Sequence, residues 1–182
     1  HKLADSFGSS TLLERPEDNP FLKTFYQDRK SVALPAQLCF LFQRSKQLES
    51  LQQGDLFHSS VVSDFMFEKD RLFAELNLDS NELALYDQVV ANIDMKSPVP
   101  DLVIYLQAPV EVLQKRVARR GRTGEFAMDT SYLQNLSEAY TSFFHDYNRS
   151  PLLIVNVAQI NPVDHEPDYQ MLLQRILNMG PG

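Results

Sequence analysis

Two carboxylates and a knot of arginines are the residues in this chain best suited to chemistry. Glu14 and Asp64 each close a short β-rich segment, Ser10–Glu14 and Ser59–Asp64. In α/β sheets, ligands collect beyond the carboxyl ends of the strands, so a carboxylate there is placed to meet one. The competing reading for each is a helix cap or a solvated loop charge. The second feature is basic: Lys115, Arg116, Arg119, Arg120 and Arg122 fall within eight residues of an acidic chain. Arg116 and Arg120 are i,i+4 neighbours on one helical face. Gly121 then breaks the helix, and Arg122-Thr123-Gly124-Glu125 follows as a polar loop. Forked guanidinium groups match phosphate oxygens, and several on one anion can stabilise charge in phosphoryl transfer. The competing reading is a solvated helix face.

The elements that must position these groups alternate between strand and helix. Asp101–Gln107 and Leu152–Val157 are nearly continuous apolar runs, the pattern of strands buried on both faces of a parallel sheet. Helical spacing runs through Leu34–Leu51, with Leu34, Leu38, Leu41, Phe42, Leu48 and Leu51 on one stripe. Further helices are expected at Asn81–Ile93 behind an Asp79/Ser80 cap, at Val110–Arg120 after Pro109, at Thr130–Tyr147 after Asp129, and at Pro167–Met179. Leu3, Ala4 and Phe7 read as the last turns of a helix closed by Gly8, and its beginning is expected upstream of His1. The alternation predicts an α/β fold with a doubly wound parallel sheet, in a single domain over 1–182.

Composition narrows the function. Of 182 residues, 43% are apolar and 23% charged, enough to build a core and to exclude general disorder. The net charge of -7 argues against a general nucleic-acid binder, whose affinity rests on phosphate neutralisation. No apolar run is long enough to span a bilayer. Cys39 is the only cysteine, which excludes an internal disulfide and fits a reducing compartment. The four histidines are far apart, without metal-ligand spacing.

Several motifs then fall in a particular order: Leu13-Glu14-Arg15-Pro16-Glu17-Asp18-Asn19-Pro20-Phe21-Leu22, Tyr26, Gln37 with Arg44 seven residues on, Val62-Ser63-Asp64 followed by Leu72-Phe73-Ala74, Tyr105-Leu106-Gln107-Ala108, and Arg116 to Glu125. Over nearly its whole length the chain resembles the deoxynucleoside kinases, most closely the bacterial deoxyguanosine/deoxyadenosine kinase branch. The resemblance implies a P-loop kinase-like fold. It implies Glu14 as general base on the 5′-hydroxyl, Tyr26 and Glu125 on the 3′-hydroxyl, Gln37 on the base edge, Arg44 lining the same pocket and Phe73 stacking on the base. Arg116, Arg120 and Arg122 match the arginines of a lid at about 116–127. ATP and Mg²⁺ are implied as cofactors, with Asp64 near the metal, and a cytoplasmic homodimer as the assembly.

Two departures stand out. Where the family shows an acidic-Arg-Ser triplet, this chain reads Asp64-Phe65-Met66, so no arginine carries over; Lys69 or Arg71 is left to take its place. Asp70 falls beside the base pocket, with the match there slipping by one. The family's first strand and its GxxxxGK[ST] phosphate loop do not occur in the sequence and are expected upstream of His1. The expected function is ATP-dependent phosphorylation of the 5′-hydroxyl of a deoxynucleoside, a purine by the branch resembled, in nucleotide salvage. The alternatives are a nucleoside monophosphate kinase and a non-catalytic dimerising relative.

Overall fold

A computed structural model describes residues 1–52, 60–93, 97–121 and 128–179. The chain divides into two compact units, one built from His1–Ser97 and the other from Pro98–Gly121 and from Asp129 onward.

The first unit runs α1 (Lys2–Phe7), β1 (Ser10–Leu12), a short 3-10 turn (Pro16–Asp18), α2 (Leu22–Gln27), α3 (Arg29–Gln52), β2 (Val61–Ser63), α4 (Glu68–Asn77) and α5 (Ser80–Ala91). Gly8 ends α1 in the left-handed conformation expected of it, at φ 61°. β1 and β2 pair in parallel, Ser10 opposite Val61 and Leu12 opposite Ser63. Both strands are shorter than the sequence predicts, and Glu14 and Asp64 lie just past their ends. α2 and α4 were not expected: neither short segment carries enough periodic apolar residues to announce itself. α5 matches, held at its start by a capping box in which Asp79 accepts from the Asn81 and Glu82 N–H groups while Glu82 accepts from the Asp79 N–H.

α3 is the spine of this unit. It begins earlier than Leu34, but Val32 interrupts it with φ −138° and ψ 15°. The cause is Pro35, whose ring crowds the carbonyl four residues back and whose nitrogen has no proton to donate. The regular helix therefore starts near the expected place. Its buried stripe differs from the one predicted: Ala33, Ala36, Gln37, Leu41, Arg44, Ser45 and Leu48 face inward, while Phe42 is 48% exposed. Three polar side chains, Gln37, Arg44 and Ser45, occupy core positions of the longest helix.

The second unit contains β3 (Val103–Gln107), α6 (Val110–Arg120), α7 (Thr130–His145), β4 (Leu152–Asn156) and α8 (Glu166–Asn178). β3 and β4 pair in parallel from Val103 opposite Leu152 to Gln107 opposite Asn156. On one side, Leu153, Val155 and Val157 pack with Ala108 and Leu172. Tyr105 stacks on Phe144 of α7 at 4.4 Å between ring centroids. Asp129 caps α7 by accepting from the Tyr132 N–H, as its position ahead of the helix predicts. The architecture is α/β with parallel strands, as expected. Among the described residues the strands form two pairs, one in each unit, where the sequence suggested a single doubly wound sheet. Among those residues, no helix is long and apolar enough to cross a membrane.

Candidate active site

The first unit places Glu14 and Asp64 just past the carboxyl ends of β1 and β2. Glu14 and Asp64 meet there: the Glu14 backbone N–H donates to Asp64 Oδ1 at 2.8 Å, and the Asp64 N–H donates to the Leu12 carbonyl at 3.3 Å. From α3, Gln47 Nε2 donates to the Leu13 carbonyl at 2.7 Å. The segment carrying Glu14 is thus held from two sides.

Arg44 joins this segment to α4. Its Nε donates to Glu14 Oε1 at 2.8 Å, one terminal nitrogen donates to the same oxygen, and the other donates to Asp70 Oδ1. Arg44 is 3% exposed, and its guanidinium lies 5.4 Å from the centre of the Phe40 ring and 5.8 Å from that of Phe65. Gln37, one heptad earlier on the same stripe, donates from Nε2 to both the Asp70 carbonyl and Asp70 Oδ1, each at 2.9 Å. The buried Tyr86 of α5 lies near both Gln37 and Asp70. Four residues from three segments therefore form one hydrogen-bonded network, Glu14, Gln37, Arg44 and Asp70, with Tyr86 of α5 beside it.

Asp70 is its centre and is fully buried. Oδ1 accepts from two donors, but Oδ2 is buried with no hydrogen-bond partner among the described residues. Burial pushes its carboxyl up to about 6, against the opposing pull of Arg44; Glu14 adds to the rise and Lys69 opposes it. Burial and the Asp70 charge push the Tyr86 hydroxyl upward as well. Lys69, also on α4, is held below the usual lysine range by burial, with Arg44 acting in the same direction and Glu14, Asp64 and Asp70 opposing. Its Nζ lies 5.9 Å from the Phe73 ring centre. Arg71, the other candidate for the missing arginine, turns outward to Glu75 and Asp87.

Of the residues expected from sequence, Glu14, Gln37, Arg44 and Asp64 come together, and Phe73 stands one turn along α4 from Lys69. Tyr26 is half-buried on α2, edge-on to Phe25 at 5.8 Å. Gln37, expected on the base edge, has its amide nitrogen bound to Asp70. Tyr86 was missed altogether, since a tyrosine in an amphipathic helix reads as ordinary packing. Asp70 had a usable signal, a carboxylate one turn into a helix behind Asp64.

In the second unit, Arg116 donates to the Val157 carbonyl at 2.6 Å and the Ile160 carbonyl at 3.1 Å, so α6 is tied to the segment after β4. Arg116 and Arg120 share the lining of one cavity of about 440 Å³ with Tyr105, Leu133 and Tyr140. Arg119 pairs with Asp164. Gly121 ends α6 at φ 65°. Arg122 and Glu125, expected in the lid, lie outside the described residues.

The first unit thus joins parallel strands to a buried amide–carboxyl–guanidinium network near their carboxyl ends, the edge at which ligands of α/β sheets collect. Comparison with known proteins gives this α/β class a family. The deoxynucleoside kinase model matches residues 1–179. Deoxyguanosine kinase of Bacillus subtilis (strain 168) is 33% identical over 139 residues, covering 76% of this chain and 67% of the relative. Deoxyadenosine kinase of Lactobacillus acidophilus is 27% identical over 188 residues, covering 96% and 86%. A solved structure of deoxyadenosine kinase from M. mycoides with bound dATP has the same fold, with a TM-score of 0.80 at 22% identity over 96% of this chain and 89% of that one. The chain belongs to the deoxynucleoside kinase family.

Proposed function

We propose that the protein transfers the γ-phosphoryl group of ATP to the 5′-hydroxyl of a deoxynucleoside, with a purine as the preferred base, in nucleotide salvage. The observation that carries this reading is the buried Gln37–Asp70–Arg44–Glu14 network. One end offers paired polar groups of the kind a base edge needs, including the unpartnered Asp70 Oδ2. The other end offers a carboxylate suited to take a proton. In the proposed reaction the 5′-oxygen bonds to the γ-phosphorus as the bond to the β-phosphate oxygen breaks. The hydroxyl proton passes to Glu14 and ADP departs with the electron pair. Gln37, Arg44 and Asp70 hold the base end, Phe73 stacks on the base, and Tyr26 and Glu125 hold the 3′-hydroxyl. Arg116, Arg120 and Arg122 supply charge to the phosphoryl oxygens.

Mg²⁺ fits the residues present. Such an ion is held by one or two carboxylates together with substrate phosphates, and Asp64 is an exposed carboxylate at the end of β2. Asp64 would hold it there, and the ion would neutralise charge on the transferring phosphates. The family match favours this reading over a nucleoside monophosphate kinase or a non-catalytic relative. We further propose a cytoplasmic homodimer; the single cysteine and the acidic charge suit that compartment.

The test is a panel of the four deoxynucleosides with ATP and Mg²⁺ on the full-length protein. A purine deoxynucleoside is expected to give the highest kcat/KM. Turnover of no deoxynucleoside would overturn the proposal.

A further inference from the structure

Two side chains from different elements take hold of the peptide bond that leads into Glu14. Its oxygen, the Leu13 carbonyl, accepts from Gln47 Nε2 of α3 at 2.7 Å. Its N–H, on Glu14, donates to Asp64 Oδ1 beyond β2 at 2.8 Å. A peptide unit is planar, with its oxygen and its N–H on opposite sides, so partners at both ends stop it rotating about the chain. The Glu14 side chain therefore leaves the backbone in one direction. The carboxylate is held as well, since Arg44 Nε donates to Glu14 Oε1 at 2.8 Å. Gln47 and Arg44 are i,i+3 neighbours on one face of α3. That face thus grips both the backbone before Glu14 and the Glu14 side chain. Leu13 and Gln47 are only half-buried, so water could satisfy either group; what the direct bond adds is a fixed direction.

We propose that Gln47 is a positioning residue for phosphoryl transfer, acting on the proton acceptor Glu14 through the Leu13–Glu14 peptide. This deepens the kinase reading above and rests on it. A general base works only within hydrogen-bond reach of the proton it removes, about 2.6–3.2 Å. Arg44 alone does not set that distance. It grips a carboxylate at the end of a side chain with several rotatable bonds, and a carboxylate held only at its tip can be reached from more than one backbone direction. Fixing the peptide removes that freedom, so the carboxylate keeps one orientation toward the hydroxyl. No bond changes on Gln47 itself: the hydroxyl proton still passes to Glu14. Gln47 in this role touches neither nucleoside nor phosphate, so it governs the rate of the step and leaves nucleoside affinity alone.

The test is a double-mutant cycle in the full-length protein with ATP, Mg²⁺ and either deoxyadenosine or deoxyguanosine. Gln47→Met keeps the length of the side chain and removes the donor; Gln47→Glu keeps the shape and sets an oxygen against the carbonyl. Each is made in wild type and in Glu14→Gln, and thermal melts check folding. Both single variants are expected to lower kcat by about 10- to 100-fold, the scale for a slight misplacement of a reacting group. KM for the nucleoside stays within about twofold, since no ground-state contact is lost. In Glu14→Gln, where no base remains to be positioned, either substitution changes kcat by less than about threefold, because residues that act as a unit are not additive. Wild-type kcat in both Gln47 variants overturns the proposal. So does a fall in Glu14→Gln as large as that in wild type, which is what a general loosening of the fold gives. A rise in KM with unchanged kcat, or loss of folding in both variants, overturns it too. With wild-type turnover intact, each of these results overturns this inference alone; wild type that phosphorylates no deoxynucleoside removes the kinase reading and this inference together.

Discussion

Arg44 donates to carboxylates from two different elements, and that geometry sets the expectations at the residue scale. Removing one partner of a buried ion pair leaves charge without compensation. Arg44→Met strands both Glu14 and Asp70, so it should destabilise the fold by about 3–5 kcal/mol in urea unfolding. Glu14→Gln keeps the shape but cannot take a proton. It should lower kcat by about 10²- to 10⁴-fold with little change in nucleoside affinity, and near-full kcat would remove Glu14 as the base. Asp70 gives a pH signature. Its carboxyl is raised from 3.8 to about 6 by burial, so between those values the folded state keeps a proton that the unfolded state has released. Its contribution to stability is therefore present at low pH and declines as pH rises through that window. The groups facing it are Arg44 from α3, Lys69 from α4, Glu14 beyond β1 and Tyr86 from α5. Denaturant unfolding across that range should show the decline in wild type and a flatter profile in Asp70→Asn.

At the scale of elements, α3 and α5 show how local chemistry and site geometry are joined. The heptad spacing of Gln37 and Arg44 puts both on the face that also carries Leu41 and Leu48. Neither polar residue could stay on that buried face without partners, and α4 supplies them through Asp70. α5 backs the network with Tyr86, and its entry is fixed by the Asp79 capping box. Asp79→Ala should cost about 1 kcal/mol. A lowered melting temperature with wild-type kinetics would show that the cap acts on the helix alone; an unchanged melting temperature would show that the capping box contributes nothing. Much of this level was legible in advance. Asp79, Pro109, Asp129 and Gly121 sit where caps and stops belong, because these residues act on backbone groups one to four positions away. α2 and α4 were not legible, since short helices are held by tertiary contacts more than by their own periodicity.

For the molecule as a whole, each unit carries its own parallel strand pair and its own packing. In the second unit, Phe144 is 7% exposed and anchors an aromatic group with Tyr105, Tyr140, Phe143 and Tyr147. Phe144→Ala should cost about 3–5 kcal/mol, read from denaturant unfolding followed by tyrosine fluorescence. A loss under about 1 kcal/mol would mean that the ring stack is not a core.

The chain's own order of residues determined the α/β alternation, the helix caps, the strand segments that end near Glu14 and Asp64, and the family resemblance. These depend on spacing along the chain, which the sequence states directly. The stripe buried on α3 was different. Leucine positions suggested one face, but the packed helix turned Gln37 and Arg44 inward and left Phe42 half exposed. Only tertiary structure could decide that, because Arg44 gains from burial only when Glu14 and Asp70, 30 residues before it and 26 after it, arrive together. The same holds for Lys69 and Arg71. They are two residues apart and both basic in the sequence; the fold sends one into the carboxylate cluster and the other to the surface, because successive helical positions two apart point to different sides.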